Sequence, residues 1–283
     1  MNRREFLAAL GVAAITPQLG CASAAGGSGG RRLKNVGIQL YTLRADAAKD
    51  LEGTLVNIAR TGYKKVELLS SMNNFGMAPA KLRAILDHNG LVAPSTHVDT
   101  DIFDNLDREI ENANILGHEY LIVASLPDAN KLGLDDYRRW ADRFNEAGAR
   151  SLRSKIRVGF HDEAWDFRNI DGTTPYDVFV QRTDPGVVAL QLDTGNAVVG
   201  GKNPLEYMQK YGKRYSLFHI KDAPSLGAER DVELGKGMVD FKRLLAMIDD
   251  IDQKHLYVEQ ESYPGAPIDS VRRDYQYIST LEF

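Results

Sequence analysis

Cysteine is nearly absent. Cys21 is the only one in 283 residues, so no intramolecular disulfide can brace the fold. Positive charge is not in excess either. Lys and Arg total 35 against 39 Asp and Glu, a net charge of −4 that denies the chain the basic face a nucleic-acid partner requires. No apolar run is long enough for stable insertion in a membrane; the run Ala8 to Ile15 falls well short of the roughly 20 residues a spanning helix needs. A Gly-rich phosphate turn after the first strand is also missing. Tyr41-Thr42-Leu43-Arg44 stands in its place, which argues against a dinucleotide-binding open sheet.

What is present begins with an export signal. Arg3-Arg4-Glu5-Phe6-Leu7, a short apolar stretch and Ala22-Ser23-Ala24 together read as a twin-arginine-type signal over residues 1–25. A Gly-rich linker over 26–33 follows, and the folded domain is expected at 34–283. The expected location is therefore periplasmic or secreted. Gln18-Leu19-Gly20-Cys21 partly resembles a lipoprotein cleavage box with its Leu one position late, making lipid anchoring at Cys21 the minor alternative.

From residue 34 onward, β-branched or aromatic runs alternate with helix-period segments. The predicted strands are 36–41, 64–69, 92–98, 120–124, 156–161, 188–193, 216–221 and 256–259. The predicted helices are 51–61, 79–89, 106–116, 135–151, 175–182, 204–211, 241–248 and 270–281. Gly62, Gly90 and Gly117 stand where left-handed C-caps belong, and Pro79, Pro175 and Pro204 where first helical turns start. Strict β/α alternation in about 250 residues predicts a single-domain α/β fold, a (β/α)8 TIM barrel, over a doubly wound sheet.

Active sites of such barrels form at the C-terminal ends of the strands. Polar residues gather there: Glu67, His97, His161, Asp193, His219 with Lys221, and Glu259. His161, Asp193, His219 and Glu259 end four successive strands, where an apolar core would place Val or Leu. Any one of them is more often a capping or paired residue, and Asp193 in Leu192-Asp193-Thr194-Gly195-Asn196 suits a turn cap. Their coincidence predicts one divalent metal ion. The mixed N/O donor set suits Mn²⁺ first, with Zn²⁺, Co²⁺ or Fe²⁺ as alternatives.

Several segments carry a resemblance. Phe160-His161-Asp162-Glu163-Ala164-Trp165-Asp166-Phe167 resembles the Tyr-His-Asn-His-x-Phe-Glu-Phe stretch of xylose-isomerase-like barrels, described as sugar phosphate isomerases/epimerases. Thr183-Asp184-Pro185, Leu192 to Asn196, His219-Ile220-Lys221-Asp222, Glu233 to Gly237 and Val258-Glu259-Gln260 follow in that family's order. The resemblance implies a metal at the ends of strands 5 to 8, on the same four residues. It also implies enediolate chemistry on a carbohydrate, and some relatives cleave 3-keto-glycosides. The chain departs from the pattern at His161, where many relatives have Glu, at Glu163, where a second His is usual, and at Asp166, which replaces Glu.

The first expectation is therefore a metal-dependent isomerase/epimerase acting on a small carbohydrate through an enediolate. Glu259, Glu67 and His97 are the candidate bases, with Lys221 beside an oxyanion. A 3-keto-glycoside lyase or hydrolase working by β-elimination is the alternative, and export favours it because sugar phosphates are cytoplasmic. A non-catalytic sugar-binding barrel is a further alternative. Phosphodiester cleavage is disfavoured by the charge balance. Trp165 and Tyr263 are candidate sugar platforms, whereas Trp140 reads as core. Glu67 with Lys221, and His97 with Ser95, are the structural pairings that compete with catalytic roles. Oligomeric state is left open.

Overall fold

The computed structural model describes residues 30–283; the expected signal over 1–25 and the first half of the linker, 26–29, lie outside the described residues. Eight parallel strands close on themselves in sequence order: β1 (Gly37–Gln39), β2 (Lys65–Leu69), β3 (Val92–Val98), β4 (Tyr120–Val123), β5 (Arg157–His161), β6 (Val188–Asp193), β7 (Tyr215–Ile220) and β8 (His255–Val258). Around them run α1 (Arg44–Ala47), α2 (Leu51–Thr61), α3 (Pro79–His88), α4 (Ile102–Leu116), α5 (Leu134–Ser151), α6 (Pro175–Arg182), α7 (Thr194–Val199), α8 (Pro204–Tyr211), α9 (Phe241–Ala246) and α10 (Pro267–Thr280). The barrel read from the sequence is the barrel found. No helix among the described residues is long and apolar enough to cross a membrane.

Local chemistry explains the element ends. Asp50, Thr174, Asn203 and Asp240 cap the helices that follow them, accepting hydrogen bonds from Gly53, Asp177, Leu205 and Arg243 amides at 2.9–3.0 Å. Gly117 closes α4 at φ 81°, where a side chain would be strained. The first strand is shorter than the 36–41 run, because the Gln39 side chain accepts from the Tyr41 amide at 3.1 Å and starts a 3₁₀ turn over Leu40–Leu43. The linker boundary also shifts. The Arg31 and Phe283 backbones hydrogen-bond each other in both directions at 2.9 and 3.0 Å, so the barrel's attachments begin before residue 34.

The main apolar core lies between barrel and helices, built from residues such as Ile38, Leu68, Phe144, Phe160, Phe179 and Phe218. Inside the barrel the apolar layer is thin: Ile122, Ala189, Leu217 and Tyr257. Gly159 faces the same space, and a Cβ there would meet Ile122 Cδ1 at 2.6 Å. Above this plug, toward the C-terminal strand ends, the inward residues turn polar. That layer, not the plug, gathers the candidate site residues.

Two histidines away from it give the fold an acid-sensitive element. Burial pushes His118 down to about 4; its Nδ1 donates to the Ala93 carbonyl at 2.5 Å, while Nε2 is buried without a partner. Burial, with Lys65 beside it, also pushes His255 to about 4. Both folded-state values lie below the unfolded value of 6.5, so their stabilisation is complete above pH 6.5 and lost as pH falls toward 4. Each contributes up to about 3 kcal/mol over that window. The melting temperature should therefore drop between pH 7 and pH 4, and His255→Gln should flatten the slope. An equally steep slope in that variant, followed by circular dichroism, would remove His255 from the account.

Candidate metal centre

Side chains alternate in and out along a strand, so one parity on each strand faces the barrel axis. His161 and Asp193 end β5 and β6, His219 lies one residue from the end of β7, and Glu259 follows β8. All four are buried, and one donor atom from each lies within 4.8 Å of the others. His161 Nε2 is 3.2 Å from His219 Nδ1 and 3.6 Å from Asp193 Oδ2. His219 Nδ1 is 3.6 Å from Asp193 Oδ2 and 3.0 Å from Glu259 Oε2. A tetrahedral ion with bonds of about 2.1 Å has ligand–ligand edges of about 3.4 Å. These separations bracket that value.

The surrounding hydrogen bonds aim each donor at the centre. His161 Nδ1 donates to the Ala124 carbonyl at 3.1 Å, which leaves the Nε2 lone pair free. His219 is set the other way round, with Nε2 donating to Glu67 Oε2 at 2.5 Å and Nδ1 facing the cluster. Asp193 divides its oxygens. Oδ1 caps α7, accepting from the Gly195 and Asn196 amides at 2.8 Å, while Oδ2 is buried with no hydrogen-bond partner. An orphaned carboxylate oxygen between two imidazole nitrogens is what a divalent cation would satisfy. The capping role expected of Asp193 is real, and it leaves the second oxygen for a metal.

Charge points the same way. Burial disfavours an ionised Asp193, but Lys221 and the two imidazoles outweigh it and hold the carboxyl well below its ordinary range. Burial likewise opposes a charged His161, yet Asp193 beside it brings the imidazole up to about 9. The carboxylates thus draw positive charge to one point, and the residues fit a divalent ion.

Glu67, one of the candidate bases, lies below the rim. It is fully buried beneath His219 and accepts from Gln39 Nε2 at 2.7 Å and from Gln191 Nε2 at 3.0 and 3.1 Å as well. Burial would raise its pKa, but His97 and His219 bring it to about 2. Nor does it pair with Lys221. Its hydrogen bond holds the His219 imidazole in place, so Glu67→Gln should weaken Mn²⁺ or Zn²⁺ affinity roughly 10–100-fold while leaving the barrel folded. Titration calorimetry giving wild-type affinity would remove it from that role.

His97 is also tucked in. Its Nε2 donates to Gln191 Oε1 at 2.9 Å, its ring lies 4.9 Å from that of His161 and 5.2 Å from that of His219, and burial pushes it down to about 4. Ser95, its expected partner, donates instead to the Tyr257 hydroxyl at 2.7 Å. Lys221 does reach the cluster, with Nζ 3.3 Å from Glu259 Oε2 and from Asn196 Oδ1, and paired with Glu261. Its stem crosses Gly195, where a Cβ would come within 2.5 Å of Lys221 Cγ.

Sequence reasoning passed over Glu163 except as a departure from a motif. The structure sets it half-buried at the rim, its Oε2 accepting from Asn196 Nδ2 at 3.2 Å. Burial, against the pull of His161 and Lys221, lifts its carboxyl to about 8. Gln39 and Gln191 were missed as well; polar residues at inward positions of strands that are otherwise apolar were the available signal. Trp140 packs on Phe103 and Arg143 away from the site, as a core residue would. Trp165 is exposed on the turn after β5, and the Tyr263 hydroxyl is taken up by the Thr42 and Gln260 carbonyls.

Fold and cluster together define an eight-stranded barrel with an enzyme-type site at its C-terminal rim. The profile of the xylose isomerase-like TIM barrel family matches residues 55–281, and the chain belongs to that family. An inosose dehydratase of Geobacillus kaustophilus is 23% identical over 269 residues, covering 80% of this chain and 86% of the relative. One from Lacticaseibacillus casei is 26% identical over 124 residues, 38% of this chain and 41% of that protein. Among solved structures, a sugar phosphate isomerase/epimerase from Parabacteroides distasonis superposes with a TM-score of 0.74 at 23% identity, covering 89% of this chain and 97% of the other. The IOLI protein with a bound zinc atom superposes at 0.67 and 14% identity, covering 86% and 96%. At these identities the structural likenesses establish the fold.

Proposed function

We propose that the protein is a divalent-metal-dependent lyase acting on a neutral cyclic keto-polyol or keto-glycoside by β-elimination. The observation that carries this is the convergence of His161 Nε2, Asp193 Oδ2, His219 Nδ1 and Glu259 Oε2 on one point. The dehydratase relatives favour elimination over the isomerisation read first from the sequence, since both begin with loss of the proton α to a ketone. A bound dication would supply Lewis acidity toward the ketone oxygen.

This chain's residues supply the rest. Glu163 is the rim carboxylate that can reach substrate, and it takes the α proton as the C–H electron pair becomes the enolate. Lys221, held charged by Glu259, Asp193 and Glu261 against the cost of burial, stands beside the developing oxyanion. The enolate then expels the oxygen on the β carbon with its bonding pair. Glu163 returns the proton to that oxygen, so the products are an unsaturated ketone and water or an alcohol. Asn196, bonded to both Glu163 and Lys221, keeps acid and cation in register.

The test is incubation of Mn²⁺- or Zn²⁺-loaded protein with an inosose, a 3-keto-glycoside and a free ketose, with products read by mass. Loss of water or of the aglycone is expected; a product of unchanged mass would assign isomerisation, and no turnover would reject the reading. Arg3, Arg4 and Ala22–Ala24 support export, and we place the working enzyme outside the cytoplasm. N-terminal sequencing should find the exported chain starting between Cys21 and Gly26. An intact Met1 would overturn this.

A further inference from the structure

Beneath the metal centre runs a chain of side-chain hydrogen bonds whose direction is fixed at one end by the backbone. The Tyr41 amide can only donate, and it donates to Gln39 Oε1 at 3.1 Å. Gln39 on β1 therefore turns its Nε2 to Glu67 Oε2, at 2.7 Å. Gln191 on β6 reaches the same carboxylate, 3.0 and 3.1 Å from its two oxygens. A carboxylate accepts, so the group facing it is again an amide nitrogen, Nε2. The other end of Gln191, Oε1, is left for His97 Nε2 at 2.9 Å, and Glu67 Oε2 faces the same nitrogen from 3.4 Å. Neither oxygen has a proton to give, so His97 Nε2 carries one. Burial keeps the ring neutral, and in a neutral imidazole the other nitrogen is then an acceptor. Residues on β1, β2 and β6 thus decide the tautomer of an imidazole on β3.

The acceptor so created has no partner. Among the described residues no donor bonds His97 Nδ1, and it is not one of the unpartnered polar atoms sealed from solvent. Its ring borders the metal centre, 4.9 Å from the ring of His161 and 5.2 Å from that of His219, with a ring nitrogen within 4.8 Å of a donor atom on each. His97 is poorly set to share their ion. It stacks on His219 with the planes 23° apart, which sends the two in-plane lone pairs alongside one another rather than to one point. Below, Ile122, Ala189, Leu217 and Tyr257 close the barrel. What reaches Nδ1 therefore enters from the rim and sits beside the metal centre, and it must bring a donor. A hydroxyl group is the donor that a polyol brings.

We propose that His97 Nδ1 accepts a hydrogen bond from a hydroxyl group of the substrate bound at the metal centre, and that Gln191 is the positioning residue that keeps this nitrogen free of its proton. The inference rests on the lyase reading for placing a keto-polyol there. It adds a specificity: a ring hydroxyl is recognised at this point as well as the ketone.

The test uses the full chain loaded with diamagnetic Zn²⁺ and labelled with ¹⁵N in histidine. Long-range proton–nitrogen correlation reads which ring nitrogen of His97 carries the proton, and Nε2 is expected. Gln191→Met removes the near acceptor at similar length, so the Nδ1-protonated tautomer should become populated. Myo-inositol is the hydroxyl-bearing probe, followed by ligand-observed NMR. It should bind Gln191→Met and His97→Leu about 10-fold more weakly than wild type, as loss of one hydrogen bond predicts, while both variants keep stoichiometric Zn²⁺. A proton on Nδ1 in the wild type, a tautomer unmoved in Gln191→Met, no binding of myo-inositol to the wild type, or unchanged affinity in both variants would overturn the proposal. The expected tautomer and affinities, in a protein that converts no keto-sugar, would uphold this contact and sink the lyase reading alone. Keto-sugar turnover by wild type, with wild-type affinity for myo-inositol in both variants, would do the reverse.

Discussion

Asp193→Asn should strip the protein of its metal and of its turnover together. The Asn side chain keeps an oxygen for the Gly195 and Asn196 amides, so α7 stays capped, but an NH₂ group replaces the free Oδ2. Losing partners that merely orient a ligand costs about 10–100-fold in affinity, and loss of a charged ligand should exceed that. Asp193→Ala should show the same loss plus about 1 kcal/mol of stability from the missing cap. Metal content after dialysis, thermal melting and kcat/KM separate these effects. Stoichiometric metal retained by Asp193→Asn would break the proposed centre.

Glu163→Gln should behave in the opposite way, holding metal normally while kcat falls about 10²–10⁴-fold. Gln can still accept from Asn196 Nδ2, so the rim geometry survives and only the proton-transfer group is lost. A base must be deprotonated, so the wild-type rate should rise with pH through the Glu163 pKa. That value is pushed up to about 8 by burial, and a nearby dication would move it lower. The acid limb of the pH profile should therefore lie below pH 8 and vanish in the variant. A kcat within tenfold of wild type, with the limb intact, would assign the proton transfer elsewhere.

The sequence by itself determined the architecture and the four convergent donors. Period-2 runs, proline first turns and glycine caps are local signals, and strict β/α alternation admits few ways to bury both faces of a sheet. In a closed parallel barrel every strand delivers its end to one rim, so His161, Asp193, His219 and Glu259 could be named before any coordinate. Only the tertiary structure decided how deep each neighbour lies and which partners it has. Glu67, His97 and Glu163 are the same kinds of residue in the sequence, yet Glu67 is buried beneath His219 and hydrogen-bonded to its imidazole. His97 is committed to Gln191, and Glu163 keeps access to the rim. The reason is physical: a side chain's protonation and reach depend on depth and on partners across the barrel, such as Gln191 to Glu67, 124 residues apart in the chain. Periodicity carries no record of such contacts, and the same holds for the left-handed run at Asn73–Phe75, whose strain is sustained by packing rather than by local preference.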